Sequence, residues 1–264
     1  MAIVQTGSVL NFTTTNTTTG TVSTTITVPA DAEMVLVGWS GYSPTPSAYS
    51  GGSMTFTKGG VDIAMTSADS LHHGDDSTGF AASLFYMVLP DTGSNKTLKW
   101  SWAATPAGDT PICSITFWKG VDIASPFRDS DGGGSGSSPP YTSLGTITAV
   151  SGDLIIAWAA SFAGPEGTAD SWSNLTLLSQ VPFAGGASNA DGAWATGSPS
   201  GATLVALSTA TNWSDGHIVA ASFKPSPGIA LTIPQGNLAL DKKIAINHVV
   251  NPAKSIPIFL YPPP

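Results

Sequence analysis

The fold class of this chain is decided by residues 96–102, which read Lys-Thr-Leu-Lys-Trp-Ser-Trp. Leu98, Trp100 and Trp102 fall on one side of an extended backbone, and the polar residues between them fall on the other. A hydrophobic period of two residues is the pattern of a half-buried β-strand. We therefore expect a strand whose large aromatic side chains enter a core.

The runs on either side of this stretch are strands of the same kind. Residues 82–89 form a continuous apolar run that ends at a Pro-Asp-Thr-Gly turn. Residues 112–118 place Cys113, Ile115 and Phe117 on one face. Three neighbouring strands with large inward side chains predict a sheet that folds around a core.

The composition of the whole chain predicts an all-β protein. Its 264 residues are 41% hydrophobic and only 10% charged, and 29 Gly and 20 Pro punctuate long Ser/Thr-rich stretches. Patterns with the helical period are absent and β-branched residues are abundant, which favours strands. One of these strands, residues 153–162, is apolar on one face and small on the other. Roughly a dozen such runs at regular spacing predict a two-sheet antiparallel β-sandwich of jelly-roll type over residues 1–225.

Several segments carry more specific predictions. Residues 34–39 are apolar on both faces, which is typical of a central strand that is covered on both sides. A hairpin is predicted for residues 54–65, and the Gly/Ser-rich run 129–140 is predicted to be a flexible linker. The pentapeptide Gly-Val-Asp-Ile-Ala occurs at residues 60–64 and 120–124, but the match ends at once on the C-terminal side. We interpret it as a coincidence and not as a repeat.

The net charge of −8 is unevenly distributed along the chain. Residues 1–224 contain 6 basic and 16 acidic residues, a net charge of −10, whereas residues 225–264 contain three lysines and one aspartate, a net charge of +2. An acidic body argues against nucleic acid as a partner, since phosphate contacts need clustered Lys or Arg. A mildly basic tail can dock on an acidic surface, including that of another copy.

The sequence changes in character after residue 225, and we interpret residues 226–264 as an extended arm for assembly or docking. Pro234, Pro252 and Pro257 interrupt its strand-like runs, and a segment below ~40 residues rarely builds a core of its own. We expect its apolar side chains to be covered by the body, by a neighbouring copy in a homo-oligomer, or by another protein. These side chains belong to Ile229, Leu231, Ile233, Leu238, Leu240, Ile244, Ile246, Ile256, Ile258, Phe259 and Leu260.

The sequence contains no catalytic signature. It lacks Gly-x-Ser-x-Gly, a Gly-rich phosphate loop, His-Glu-x-x-His and Cys-x-x-Cys. We therefore expect neither an enzyme nor a cofactor. The run His-His-Gly-Asp-Asp at residues 72–76 has ligand-type side chains, but a solvated loop is the expectation there. Asp129 and Asp131 lack the spacing of a calcium loop, and the single cysteine, Cys113, is expected to be a buried thiol.

A carbohydrate-binding module, with a host glycan as its partner, is the competing hypothesis. Aromatic rings stack on sugar rings, and the chain has eight Trp. Trp100, Trp102, Trp118 and Trp158 lie in predicted strands, where burial in a core is the commoner outcome. The candidates for a sugar platform are the aromatic residues of predicted loops, namely Tyr42, Tyr49, Trp172 and Trp213.

Five runs resemble a β-sandwich module that occurs in virion proteins of tailed bacteriophages and in some bacterial surface proteins. They are Tyr-Met-Val-Leu-Pro at 86–90, residues 96–102, residues 114–127, Gly-Asp-Leu-Ile-Ile at 152–156, and the closing Ala-Ala-Ser-Phe-Lys-Pro at 220–225. The resemblance implies a virion structural protein of a tailed bacteriophage, that is, a head decoration, collar or fibre component. Its implied partners are other virion proteins and further copies of itself.

The two ends of the chain fit the same expectation. Residues 247–254, Asn-His-Val-Val-Asn-Pro-Ala-Lys, resemble short Pro-punctuated segments of phage structural proteins. The first residues, Met-Ala-Ile-Val-Gln-Thr, lack the basic start and the long apolar stretch of a signal peptide, and no run reaches transmembrane length. We expect a protein that is made in the host cytoplasm, has no membrane partner and is located in the virion.

Overall fold

A computed structural model describes residues 2–13, 20–42, 52–73, 80–102, 110–136, 143–163, 171–182, 190–197, 203–208 and 213–227. Every regular element in these ranges is a β-strand, which confirms the all-β class. Residues 1–228 form one compact unit that contains all the described strands, and residues 229–264 lie outside the described residues.

The described strands are numbered here in chain order. They are β1 (Val4–Thr13), β2 (Thr21–Val28), β3 (Met34–Tyr42), β4 (Ser53–Lys58), β5 (Val61–Ala64), β6 (Thr66–His73), β7 (Phe80–Val88), β8 (Gly93–Ser101), β9 (Thr110–Lys119), β10 (Phe127–Gly136), β11 (Ser143–Ile147), β12 (Leu154–Ala163), β13 (Ser171–Ser173), β14 (Thr176–Pro182), β15 (Ala190–Gly197), β16 (Thr203–Ser208) and β17 (Trp213–Phe223).

These strands form four antiparallel sheets. Sheet I has the order β1-β9-β3-β7-β6 and sheet II the order β2-β8-β4-β5. Sheet III has the order β10-β17-β12-β15-β14 and sheet IV the order β11-β16-β13. We call sheets I and II the first sandwich, and sheets III and IV the second sandwich. The antiparallel fold is thus confirmed, but the described residues form four sheets where the sequence predicted two.

The sheets stack in the order II, I, III, IV, with an apolar core in each of the three spaces between them. Strand β3 shows how sheet I serves two cores. Val35, Val37 and Trp39 pack against sheet II, whereas Met34 and Leu36 pack in the core that sheet I shares with sheet III. The prediction that this strand is covered on both faces is confirmed, and the second cover is another sandwich.

Sheet III is buried on both faces in the same way. In β12, Leu154, Ile156 and Trp158 lie in the core shared with sheet I, while Ile155, Ala157 and Ala159 lie in the core shared with sheet IV. The predicted contrast between a large and a small face therefore holds for the two alanines but not for Ile155, because both faces of the strand enter an apolar core.

The second sandwich repeats the strand order of the first. In sheet III, β10, β17, β12, β15 and β14 take the places of β1, β9, β3, β7 and β6. In sheet IV, β11, β16 and β13 take the places of β2, β8 and β4, while β5 has no counterpart among the described strands. The order β1-β9-β3-β7 faces β2-β8-β4-β5 across the first core, and the jelly-roll type expected from the sequence stays a prediction.

The two sandwiches face each other with opposite strand order. Strand β3 lies against its counterpart β12, β7 lies against β17, and β6 lies against β10. Among the described strands, the closest contacts between the sandwiches run along β6 and β7 of sheet I and β10 and β17 of sheet III. The repeated pentapeptide is unrelated to the repeated strand order, because residues 61–64 form β5 and residues 120–124 connect β9 to β10.

The hairpin prediction is confirmed, and the linker prediction is wrong for residues 129–136. Strands β4 and β5 are joined by Gly59 and Gly60, both with positive φ, as a two-residue hairpin turn requires. Strand β10 pairs with β17 along its length despite its three consecutive glycines. Gly132 lies opposite Val219, whose side chain is in the core with sheet I. Glycine, which has no side chain, suits β10 at this position, because β6 of sheet I lies close against β10.

Candidate interface at the root of the arm

The backbone that precedes the arm is fixed to the connection between the two sandwiches. The amide of Lys224 donates to the carbonyl of Pro126 at 2.7 Å, and the amide of Asp122 donates to the carbonyl of Lys224 at 2.9 Å. The amide of Ser226 donates to the carbonyl of Gly120 at 2.7 Å. Residues 224–226 thus form a short antiparallel bridge with residues 120–122, and we call this bridge the arm root.

Glu33 holds the connection from the side of sheet I. Its carboxylate accepts the amides of Gly120 at 2.6 Å and Val121 at 3.2 Å. Its carbonyl accepts the amide of Leu89 at 2.7 Å, and its own amide donates to the carbonyl of Trp118. One residue therefore ties the ends of β7 and β9 to the connection. Sequence spacing gave no signal for this role, because the partners lie 87 and 88 positions away.

Asp153 has the corresponding place in the second sandwich, since it immediately precedes β12 as Glu33 precedes β3. Its buried carboxylate accepts two hydrogen bonds from the Arg128 guanidinium and one from the amide of Val150, the latter at 2.8 Å. The bond to Asp153 raises the pKa of Arg128 above its ordinary value. This pair fastens the start of β10 to the turn before β12.

A second ion pair lies beside the arm root. Lys119 donates to the Asp31 carboxylate at 2.6 Å, and the Thr6 hydroxyl donates to the other oxygen of that carboxylate. The hydrogen bond from Lys119, followed by that from Thr6, lowers the pKa of Asp31 from 3.8 to about 2. The pair joins β1, the end of β9 and the turn before β3.

Two glycines bring the backbone close to the root. Gly120 has a φ of +79°, and a Cβ at this position would lie 2.3 Å from the carbonyl oxygen of Ala2. Gly152 has a φ of +92°, and a Cβ there would lie 3.4 Å from the Pro225 ring. The N-terminal strand and the turn before β12 therefore both border the arm root.

Four exposed apolar side chains belong to segments that border this root. Leu89 follows the end of β7, Val4 begins β1 beside Lys119, Ile123 is in the connection, and Val150 is in the turn that borders Pro225. We call Val4, Leu89, Ile123 and Val150 the root patch. Among the described residues, the other exposed large apolar side chains are Val61, Ile63 and Leu177.

Of the four residues proposed for a sugar platform, only Trp172 has a described side chain. Trp172 lies in strand β13 and not in a loop, and it is 9% exposed in the core between sheets III and IV. Its ring is therefore not available for stacking on a sugar. Tyr42 ends β3 and Trp213 begins β17, but their side chains lie outside the described part, as does the whole of Tyr49.

The remaining candidate side chains are placed as follows. His72 and His73 lie in strand β6 and not in a loop, with their side chains outside the description. Cys113 is a buried thiol, as predicted, and burial raises its pKa. The carboxylates of Asp129 and Asp131 accept backbone amides. All eleven apolar arm residues lie outside the described residues.

In the part of the chain that is described, no three His, Cys, Asp or Glu residues lie close enough to share a metal ion. That part also contains no helix with the length and hydrophobicity to cross a membrane. Comparisons with models of known protein families, with curated proteins and with solved structures found no match to this chain.

Proposed function

We propose that this chain is a structural protein of a tailed-bacteriophage virion that acts through protein–protein assembly, as a head decoration, collar or fibre component. The body supplies a rigid four-layer block, and residues 226–264 supply the contact that attaches it to its neighbours. The observation that carries the proposal is the arm root, which fixes the start of this apolar segment on the block.

The hydrogen bonds at the root give the arm a defined starting point. Three backbone hydrogen bonds, two of which form the bridge between Val121 and Pro225, hold residues 224–226 against the connection between the sandwiches. A segment that starts from a fixed position loses less orientational freedom on binding than one attached by a loose linker. Such a root therefore suits a segment that reaches across to another subunit.

The composition of the arm supports the same function. Its eleven apolar side chains would form a larger exposed patch than a soluble monomer usually carries. An extended segment covers such side chains by adding a strand to the edge of a sheet, where backbone hydrogen bonds supply affinity. The net charge of +2 after residue 224 also complements the body at −10, although salt screens part of that attraction.

Truncation tests the assembly role directly. A protein ending at residue 227 keeps the Ser226 hydrogen bond and all three cores. We expect it to stay folded by circular dichroism and to sediment as a monomer, whereas the full chain sediments as an oligomer. Equal masses for the two proteins, together with equal binding to particles, would contradict the assembly role.

The virion location needs its own test. Antibodies raised against residues 1–227 should label purified particles from the native source in electron microscopy, at sites that repeat with the symmetry of the particle. Antibodies that recognise only protein outside the particles would exclude the virion role while leaving the oligomer result intact.

A further inference from the structure

We propose that the root patch is the docking site for the distal run of the arm, residues 256–260, of a second copy of this chain. The proposal rests on the assembly function above and adds the surface and the partner segment. The patch consists of Val4, Leu89, Ile123 and Val150.

Leu89 is the residue that most clearly marks this surface. Its side chain is 48% exposed and its φ is +51°, in the left-handed region that a leucine rarely adopts. Asn or Gly would fit this backbone with less strain, and a polar side chain would suit the exposure. Strained, exposed apolar residues of this kind occur where a surface serves to bind.

Hydrogen bonds hold the patch residues around the arm root. Leu89 is fixed through the Glu33 carbonyl, and the Glu33 carboxylate holds Gly120 and Val121. Val150 is fixed through Asp153 in the turn whose Gly152 borders Pro225. The backbone that presents these apolar side chains is therefore set before a partner arrives, so little conformational entropy is lost on binding.

The length of the arm points to a second copy. Residues 228–264 span up to about 120 Å when fully extended, whereas four stacked sheets are about 30 Å thick between the outer layers. Four patch residues also cannot cover eleven apolar arm residues. The arm is therefore long enough to reach beyond its own body, and its own root patch would leave most of its apolar side chains uncovered.

Residues 256–260 are the segment best suited to the patch. Ile256, Ile258, Phe259 and Leu260 make this the most apolar run of the arm, with Pro257 favouring an extended backbone. The run at residues 229–233 follows the arm root by only a few residues, which limits the distance over which it can reach another copy. The distal run has about 90 Å of extended chain between itself and the root.

The test combines patch variants with the truncated protein. The double variant Leu89→Asn with Val150→Asp should weaken self-association of the full chain by about tenfold or more in sedimentation equilibrium. Phe259→Asp should weaken it similarly. Ile63→Asn, at an exposed apolar site on the edge of sheet II, is the matched control and should leave association unchanged. The urea midpoint of each variant shows that folding is intact, and Asn at position 89 fits the local backbone.

Mixing experiments identify the partner. The protein ending at residue 227 has a patch but no arm, and the double variant has an arm but no patch. Docking between copies predicts that the two form a mixed complex, although each alone is monomeric. Absence of that complex would overturn the proposal, since the arm would then bind its own molecule.

Two further outcomes separate this proposal from the proposed function. If truncation abolishes assembly but the patch variants assemble like the wild type, the arm docks elsewhere and only the present proposal fails. If truncation also leaves the mass unchanged, both proposals fail.

Discussion

At the residue scale, a stacked tryptophan pair dominates the core of the first sandwich. The rings of Trp39 and Trp100 lie 3.9 Å apart between centroids at an angle of 12°, and Phe85 meets Trp100 edge-on at 5.3 Å. Trp39 comes from sheet I and Trp100 from sheet II, so the pair joins the two sheets directly. The inward direction of Trp100 and Trp102 was predictable from alternation alone. The Trp39 partner was not, because it lies about 60 positions away in the chain.

Removal of the Trp100 ring tests this core. Trp100 is 1% exposed, so Trp100→Ala should lower the free energy of unfolding by about 3–5 kcal/mol through lost burial and a new cavity. Trp100→Phe should cost less, because a ring still fills part of the space. Urea titration measures both changes. Thr25→Ala, on the exposed side of sheet II, is the control and should stay within about 0.5 kcal/mol of the wild type. A neutral Trp100→Ala would show that the ring lies at the surface.

Asp31 predicts a loss of stability in acid. Its pKa is lowered from 3.8 to about 2 by the hydrogen bonds from Lys119 and Thr6. A carboxylate with a depressed folded-state pKa stabilises the fold fully above the unfolded pKa, and this contribution disappears as the pH falls through the folded pKa. We therefore expect the urea midpoint of the wild type to fall between pH 4 and about pH 2 more steeply than that of Asp31→Asn. Identical slopes in the two proteins would contradict this assignment.

At the element scale, strands were predictable and their partners were not. Period-two alternation identifies β8 and β9 from local sequence, because large apolar side chains of one core alternate with Thr, Lys and Ser in both strands. Strand β10 escaped prediction, because glycine carries no hydrophobic signal and its strand conformation depends on β17 and β6. The arm root escaped prediction for the same reason. Its bonds join residues 120–126 to residues 224–226, and no local pattern records such a pairing.

The connection after β9 depends on a glycine that local sequence does not explain. Gly120→Ala should destabilise the protein in two ways, through its φ of +79° and through the contact with the Ala2 carbonyl at 2.3 Å. Gly60→Ala provides the control, because Gly60 also has a φ of +79° but no atom near the added Cβ. We expect Gly60→Ala to cost about 1–2 kcal/mol from strain alone, and Gly120→Ala to cost clearly more. Equal urea midpoints for the two variants would show that the N-terminal strand yields without cost.

At the scale of the whole molecule, the shared core between sheets I and III makes two sandwiches into one body. In the sequence, residues 34–39 are apolar on both faces and residues 153–162 are apolar on one face and small on the other, which is the pattern expected of strands covered on both sides. The sequence did not show which sheet covers the second face of these strands. A sheet of the same sandwich and a sheet of another sandwich would both require apolar residues there. The repeated strand order is likewise visible only in the structure, because the two halves share alternation but little identity.

The aromatic contacts of Phe223 predict that the two sandwiches unfold together. Phe223 ends β17 in sheet III, and its ring meets Tyr86 of sheet I edge-on at 5.4 Å and Phe127 at 6.4 Å. Because this core belongs to both sandwiches, the opening of either one would expose large apolar surface on the other. Backbone amides of β3 and β12 in the protein ending at residue 227 should therefore exchange with the same free energy of opening in native-state hydrogen exchange. Phe223→Ala should lower both values together, by about 3–5 kcal/mol. If β12 loses protection in this variant while β3 keeps the wild-type value, the sandwiches unfold independently and the shared core does not couple them.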